Sequence, residues 1–389
     1  MSVRKVVSVV GARPNFMKVA PIHRALEEHP AFDSLVVHTG QHHDDAMSAQ
    51  FFRDLGLPEP NLHLQAPRTP LESFVGHVIG QLGTWLRSEA ADFLVVVGDV
   101  HSTVAAAMAG RAVGVPIAHV EAGLRSGDRD MPEETNRILV DQIADLHFVT
   151  EPSGMENLAR EGLPNESRFL VGNTMIDSLV FAKPKIEASN ALLNLGLTGK
   201  EFAVATFHRP SNVDSRSNID RVIRIVESVA LVMTLVLPLH PRTRNRLQAM
   251  GGLDHLESIP NLKVTEPLGY VDFMRVVSAA RVVITDSGGI QEESSYLGIP
   301  CLTIRPNTER PITIDRGTNQ VLSGDVGEVL EAIRSIQSSS FKIPIIPNWD
   351  GLAARRIVEI LAEGARTNWQ NRRAPCHIDC DYLAIPYLN

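Results

Sequence analysis

The stretch Asp286-Ser287-Gly288-Gly289-Ile290-Gln291-Glu292-Glu293 follows the apolar run 282–285 and is the most chemically suggestive in the chain. Adjacent glycines let a backbone come close to a phosphate, and a helix starting there turns free N–H groups toward it. The run reads as a diphosphate cradle rather than a plain tight turn. Ser287, Gly288 and Gly289 form the bend, and Glu293 lies one turn into the helix, placed to accept hydrogen bonds from ribose hydroxyls. Arg305 and Arg310 add cations after the next apolar run. Near the start of the chain, Arg13 and Lys18 follow the run 6–10 and offer cationic donors to the same kind of ligand. The alternative reading of that pair is two surface cations on a helix.

Acids gather at other places where apolar runs end. Asp99 follows 93–97, and Glu121 follows 116–120 with Asp128, Asp130, Glu133 and Glu134 behind it. Paired general acid and base groups belong at such positions. Competing roles are a helix N-cap for Asp99 and plain solvation for several loop acids. Asp128-x-Asp130 has the outline of a metal pair, but Arg129 between the acids argues against one. His208 and Arg209 follow the run 202–206, where an imidazole can donate a proton or neutralise a leaving phosphate. His240, in Pro238-Leu239-His240-Pro241, is a weaker candidate of the same kind.

Such residues need a scaffold that ends strands beside a cleft. Short β-branched runs at 6–10, 35–38, 93–97, 116–120, 147–150 and 169–171 alternate with helical patterns. The rhythm pauses at 181–199 and restarts with runs at 202–206, 234–238, 262–265, 282–285 and 300–304. The expectation is an α/β chain of two Rossmann-like, doubly wound parallel-sheet domains facing a cleft. Their bounds are expected at 1–182 and 199–362, with a C-terminal helix crossing back to the first domain and a tail over 363–389 that either crosses back or is partly free. At 389 residues the length suits two domains.

Bulk properties exclude several functions. A net charge of −8 and an aromatic share of 5% disfavour a general nucleic-acid binder. No apolar run is long enough to cross a membrane, and the N-terminus lacks a secretory pattern. The three cysteines, Cys301, Cys376 and Cys380, make no disulfide framework, which fits a cytoplasmic protein. Cys376 and Cys380 around His377 have the wrong gap and no second pair for zinc. No G-x-G-x-x-G fingerprint stands at a strand end, so the usual nicotinamide site is missing.

Taken together, the motifs resemble those of the non-hydrolysing UDP-N-acetylglucosamine 2-epimerases, a family of the two-lobed GT-B fold. The resemblance runs from about residue 5 to about 365. It rests on Gly11-x-Arg13-Pro14-x-x-x-Lys18, Thr39-Gly40-Gln41-His42, Gly98-Asp99, and the run from His119 through Glu121 to Arg125. Pro132-Glu133-Glu134-x-Asn136-Arg137, Gly172-Asn173-Thr174, His208-Arg209, the Asp286 to Glu293 run and Glu309-Arg310-Pro311 complete it. The resemblance implies catalytic roles for Asp99, Glu121 and Glu133, and for His208 beside the diphosphate. It implies nucleotide contacts for Arg13, Lys18, Phe273, Ser287, Gly288, Gly289, Glu293 and Arg310. Arg137 and Arg209, within the same motifs, are taken as further substrate-binding positions. The chain departs from the pattern at Asn15, where a glutamate is usual, and at Asp44, where some bacterial members carry a glutamine that helps bind an activating second UDP-N-acetylglucosamine. It also has a shorter loop between Arg125 and Glu133 than many of them.

The reaction so implied is reversible conversion of UDP-N-acetylglucosamine to UDP-N-acetylmannosamine, by UDP elimination to 2-acetamidoglucal and re-addition. It needs neither NAD nor a metal. A hydrolysing relative that releases N-acetylmannosamine and UDP, and an epimerase of a UDP-diacetamido sugar, are the alternatives. A homodimer is the expected assembly.

Overall fold

The computed structural model describes residues 3–41, 54–67, 69–338 and 343–366. In the first lobe β1 (Arg4–Val10), β2 (Phe32–His38), β3 (Leu62–His63), β4 (Phe93–Val97), β5 (Ile117–Ala122), β6 (Leu146–Val149) and β7 (Arg168–Leu170) make one sheet. Their order is β3-β2-β1-β4-β5-β6-β7. In the second lobe β8 (Phe202–Thr206), β9 (Thr234–Pro238), β10 (Leu262–Thr265), β11 (Val282–Thr285), β12 (Cys301–Ile304) and β13 (Asn319–Leu322) follow the order β10-β9-β8-β11-β12-β13. The pairings in both sheets are parallel.

The central strands read as unbroken apolar runs because helices cover both faces. Along β1 and β4, Val6, Val10, Val95 and Val97 enter one core while Val7, Val9, Leu94 and Val96 enter another. The covering helices of the first lobe are α1 (Arg13–Glu27), α2 (Leu71–Ser88), α3 (His101–Val113), α4 (Pro132–Ile143), α5 (Pro152–Arg160) and α6 (Thr174–Ala188). Those of the second are α7 (Arg216–Val232), α8 (Pro241–Ala249), α9 (Tyr270–Ala279), α10 (Gly288–Leu297) and α11 (Val326–Ser338). In each sheet the strand order reverses once, between β1 and β4 and between β8 and β11. A crevice opens at such a reversal, and ligands of this architecture bind there.

The sequence pattern omits β3 and β13, both short edge strands. Part of the expected pause at 181–199 is helix: α6 runs to Ala188 and touches α1 in the first lobe and α9 and α10 in the second. One apolar cluster therefore continues from Val19 and Ile22 through Leu179 and Ala182 to Met274 and Val277. The last described helix, α12 (Ala353–Arg366), returns to the first lobe as expected and packs on α1 through Ala354, Ile357, Val358 and Leu361. Asp177 of α6 receives its first turn, accepting from Ala353 N at 3.2 Å and Ala354 N at 2.7 Å. No described helix is long and apolar enough to cross a membrane. His42, His43 and Asp44, and the Cys376, His377 and Cys380 group, lie outside the described residues.

Candidate active site

The first-lobe crevice is built where β1 and β4 end. After β1 the chain turns into α1, whose first residue is Arg13. Asn15 Oδ1 accepts from Gly11 N at 3.1 Å and Ala12 N at 2.9 Å, and its amide donates to Val97 O at 3.0 Å. Asn15 is thus a buried brace between the two strand ends. One turn later Lys18 is buried and bonded to Glu121.

Glu121 has an unusual backbone. The pairing of β5 with β6 skips from Val120 to Ala122, and Glu121 lies between them at φ 72°. A left-handed φ is uncommon for a residue with a side chain and costs of order 1–3 kcal/mol. The bulge sets its carboxylate between the two lobes, where Lys18 holds one oxygen and Arg310 Nη2, from the opposite lobe, holds the other at 2.7 Å. Gly98 follows β4 at φ 69°, and a Cβ there would stand 3.2 Å from both Glu121 Oε2 and Lys18 Nζ.

Asp99 does not cap α3, whose N-cap is Val100. Its carboxylate is instead bonded by Arg137, and its carbonyl accepts from Asn136 Nδ2 at 2.8 Å. Burial alone would raise the Asp99 pKa, but Arg137 and Lys18 outweigh it and hold the group below its ordinary value. Arg137 also meets Glu134 at 2.5 Å, which makes it a buried prop behind Asp99. Glu133, at the start of α4, is partly exposed and faces Arg209 across the cleft at 3.4 Å.

The second-lobe crevice joins the ends of β8 and β11. Asp286 is buried and accepts from the backbone N of His208 and of Arg209, each at 2.9 Å, and from Asn212 at 3.1 Å. Its other oxygen meets His208 Nδ1 at 2.9 Å. Desolvation opposes its ionisation, yet these donors, His208 foremost, keep the pKa low. Asp286 therefore ties the two strand ends and orients the imidazole rather than cradling a phosphate. The ring of His240 lies 5.4 Å from that of His208, centroid to centroid. Helix α10 starts at Gly288 and Gly289 with Ser287 as an N-cap that lends no side-chain bond, and this uncapped start lines the cleft. A turn further on, Glu293 accepts from Tyr270 OH at 2.9 Å, and desolvation pushes its pKa up to about 8.

These residues meet in a cavity of about 430 Å³ between the lobes. Lys18 and Asp99 line it from the first lobe; His208, Arg209, His240, Phe273, Ser287, Gly288, Gly289, Glu293 and Arg310 line it from the second. Asp99 and Arg209 also line an adjoining cavity of about 430 Å³ that holds Glu133. Glu121 stands behind the first cavity in contact with Lys18 and Arg310, and Arg137 stands behind Asp99.

Sequence reasoning missed Tyr270, Glu292 and Glu309. Glu292 and Glu309 reach Arg310 at 2.9 and 2.5 Å, and Glu309 also reaches Arg305 at 2.9 Å. Burial works against a charge on Glu309, but Arg310 and Arg305 overcome it and hold its pKa far below the carboxylate range. Glu309 sits inside a quoted motif and was legible as a partner; Tyr270 carries no such signal. Among the described residues no group of three or more His, Cys, Asp or Glu could hold a metal ion.

The arrangement sets a helix start and several cations for a dianion beside carboxylates suited to moving a proton. Comparison with known proteins narrows it. A family model described as UDP-N-acetylglucosamine 2-epimerase matches residues 24–362. A Methanococcus maripaludis protein called a UDP-N-acetylglucosamine 2-epimerase homolog is 38% identical, covering 86% of this chain and 93% of its own. A UDP-2,3-diacetamido-2,3-dideoxy-D-glucuronate 2-epimerase of Pseudomonas aeruginosa is 34% identical over 92% of this chain and 99% of its own. The crystal structure of a Methanocaldococcus jannaschii UDP-GlcNAc 2-epimerase, in complex with UDP-GlcNAc and UDP, superposes with a TM-score of 0.85. It is 33% identical and covers 92% of this chain and 100% of its own.

Proposed function

The chain belongs to the UDP-N-acetylglucosamine 2-epimerase family, and from that premise we propose that it interconverts UDP-N-acetylglucosamine and UDP-N-acetylmannosamine without net hydrolysis. The observation that carries the reading is the single cavity in which a helix start with two glycines and Arg310 faces Lys18 and Asp99.

Carbon 2 of the sugar has no neighbouring carbonyl, so its proton is poorly acidic. Cleavage of the C1–O bond to UDP gives C1 oxocarbenium character and makes the C2 proton removable. A carboxylate among Asp99, Glu121 and Glu133 takes it, leaving 2-acetamidoglucal and UDP. The α10 amides, with Lys18, Arg310 and His208, stabilise the departing diphosphate, a contribution often worth several kcal/mol. UDP then adds back to C1 while a second acid protonates C2 from the other face, and the net reaction is inversion at C2. The route draws on no nicotinamide and no metal. Retention of UDP through the glycal stage separates this activity from hydrolysis.

Proton NMR of the protein with UDP-N-acetylglucosamine in heavy water tests the proposal. The expected result is a UDP-N-acetylmannosamine signal with deuterium at C2. Product that keeps the original C2 hydrogen rejects elimination, and free N-acetylmannosamine with UDP identifies a hydrolase. A second reading, epimerisation of a diacetamido uronic acid nucleotide, is favoured by the Pseudomonas aeruginosa relative. Faster turnover of that sugar in the same assay would select it. The homodimer implied by the resemblance is part of the proposal, checked by light scattering of the eluted protein.

A further inference from the structure

Glu121 is presented by a bulge, and the sheet's own ladder does not hold it. The β5–β6 register passes over it, and the turn around it bends through φ 72° at Glu121 and φ 81° at Gly123. What holds the bulge is a side chain from α4. Asp141, wholly buried, spans it: Oδ1 meets His119 Nδ1 at 2.6 Å, two residues before Glu121. Oδ2 accepts from Gly123 N at 3.1 Å, two residues after it, and meets Arg125 Nη2 at 2.8 Å. The other ring nitrogen of His119, Nε2, meets the carbonyl of Gly98 at 2.9 Å, next to Asp99. That carbonyl can only accept, and Asp141 is a carboxylate because His119 and Arg125 outweigh the effect of its burial. His147 lies alongside with Nε2 at 2.7 Å from the carbonyl of Asp141, so it bonds the backbone and leaves both carboxylate oxygens to the bulge.

We infer that Asp141 and His119 are positioning residues for the proposed reaction: a buried carboxylate–imidazole pair that locks Glu121 in its left-handed bulge and ties it to the Gly98–Asp99 turn. The inference rests on the proposed function only for the consequence of misplacement. Neither residue lines the two cavities described above. The effect of the pair is to keep two acids from different strand ends at a set separation, where a displacement of about 1 Å can cost on the order of 100-fold in rate.

Two variants and one spectrum test this. Asp141→Asn keeps the shape but cannot accept from His119, Arg125 and Gly123 with the same two oxygens. His119→Gln keeps a donor toward Gly98 and loses the one toward Asp141. Each should lower kcat by roughly 100-fold. UDP affinity, to which α10 in the other lobe contributes independently of the pair, should fall far less than kcat. The double variant should be no slower than the worse single, since one unit is being broken. Nitrogen-15 NMR of the ligand-free wild type should show both His119 ring nitrogens engaged in hydrogen bonds, Nδ1 with Asp141 and Nε2 with the Gly98 carbonyl. A ring nitrogen free of a hydrogen bond in that spectrum, or a folded Asp141→Asn protein with wild-type kcat, would overturn the inference. Absence of any sugar turnover by the wild type would count against the proposed activity alone, because the spectrum is recorded without substrate.

Discussion

Replacing Gly288 by alanine adds one carbon where the structure has no room for it. A Cβ there would stand 2.5 Å from Arg310 Nη1 and 3.0 Å from both Arg310 Cζ and Glu309 Oε1. Ordinary contact begins at 3.4 Å, so 3.4 − 2.5 leaves about 0.9 Å to be found. Arg310 cannot swing aside like an exposed side chain, because it is buried and held by Glu121 at 2.7 Å, Glu292 at 2.9 Å and Glu309 at 2.5 Å. If Arg310 takes up the displacement, its bond to Glu121 stretches from 2.7 Å to about 3.6 Å, beyond hydrogen-bonding range. Loss of one charge-assisted bond is worth about 1.5–3 kcal/mol. Felt in the transition state, that is roughly a 10- to 150-fold drop in kcat/KM. If the start of α10 moves instead, its amides leave the diphosphate and UDP binds more weakly. Overpacking of this kind costs about 1–3 kcal/mol of stability, so folded protein should be available. Gly289→Ala should disturb the fold less, since its Cβ meets only the flexible end of Met175 at 3.2 Å. The assay is C2 epimerisation followed by NMR, with UDP titration calorimetry beside it. Gly288→Ala protein with wild-type kcat/KM and wild-type UDP affinity would refute the reasoning.

The other predictions concern the acids. Glu121→Gln and Asp99→Asn should each reduce kcat by about 100-fold or more while circular dichroism stays unchanged, as loss of a proton-transferring group implies; near-wild-type rates in both would remove these acids from the mechanism. Glu293 has a folded pKa of about 8 against an ordinary 4.5, so its contribution to stability is full below about 4.5 and is lost as pH rises through 8. Glu293→Gln keeps the acceptor for Tyr270 without the ionisable group. Its urea midpoint should match wild type near pH 4 and exceed it at pH 9, by at most about 5 kcal/mol in stability. Parallel stability profiles for the two proteins would show that Glu293 ionises freely in the fold.

Much of the scaffold was legible because burial on both faces leaves a plain trace. A run such as Phe93-Leu94-Val95-Val96-Val97, all buried, reads as a central strand without further help. The omitted strands lack that trace. β3 is two residues long, and β13 starts with Asn319 and Gln320. Asn319 is buried in β13 because its side chain bonds Thr303 at 2.6 Å and Gln291 at 3.1 Å, partners that no local pattern displays. The site divides in the same way. The glycines of α10 and the acids after β4 and β5 stand in short motifs, so their candidacy was visible. The Glu121–Arg310 bond joins residues 189 apart and arises only when the two lobes face each other. The left-handed turn at Glu121 was hidden too, because its cause is Asp141, twenty residues along on another element. Asn15 read only as a departure from the family pattern, whereas the structure makes it the tie between β1 and β4.

The return of α12 to α1 has a consequence for how the protein comes off the ribosome. The first lobe opens with β1, yet the surface of α1 that receives Ile357, Val358 and Leu361 stays uncovered until the whole second lobe has been synthesised. Synthesis at about 5–20 residues per second leaves that greasy face waiting for on the order of ten seconds or more. The lobe begun first is therefore finished last, and the second lobe sits within it like a clause inside a sentence. A chain halted before residue 353 would leave the same face bare for good.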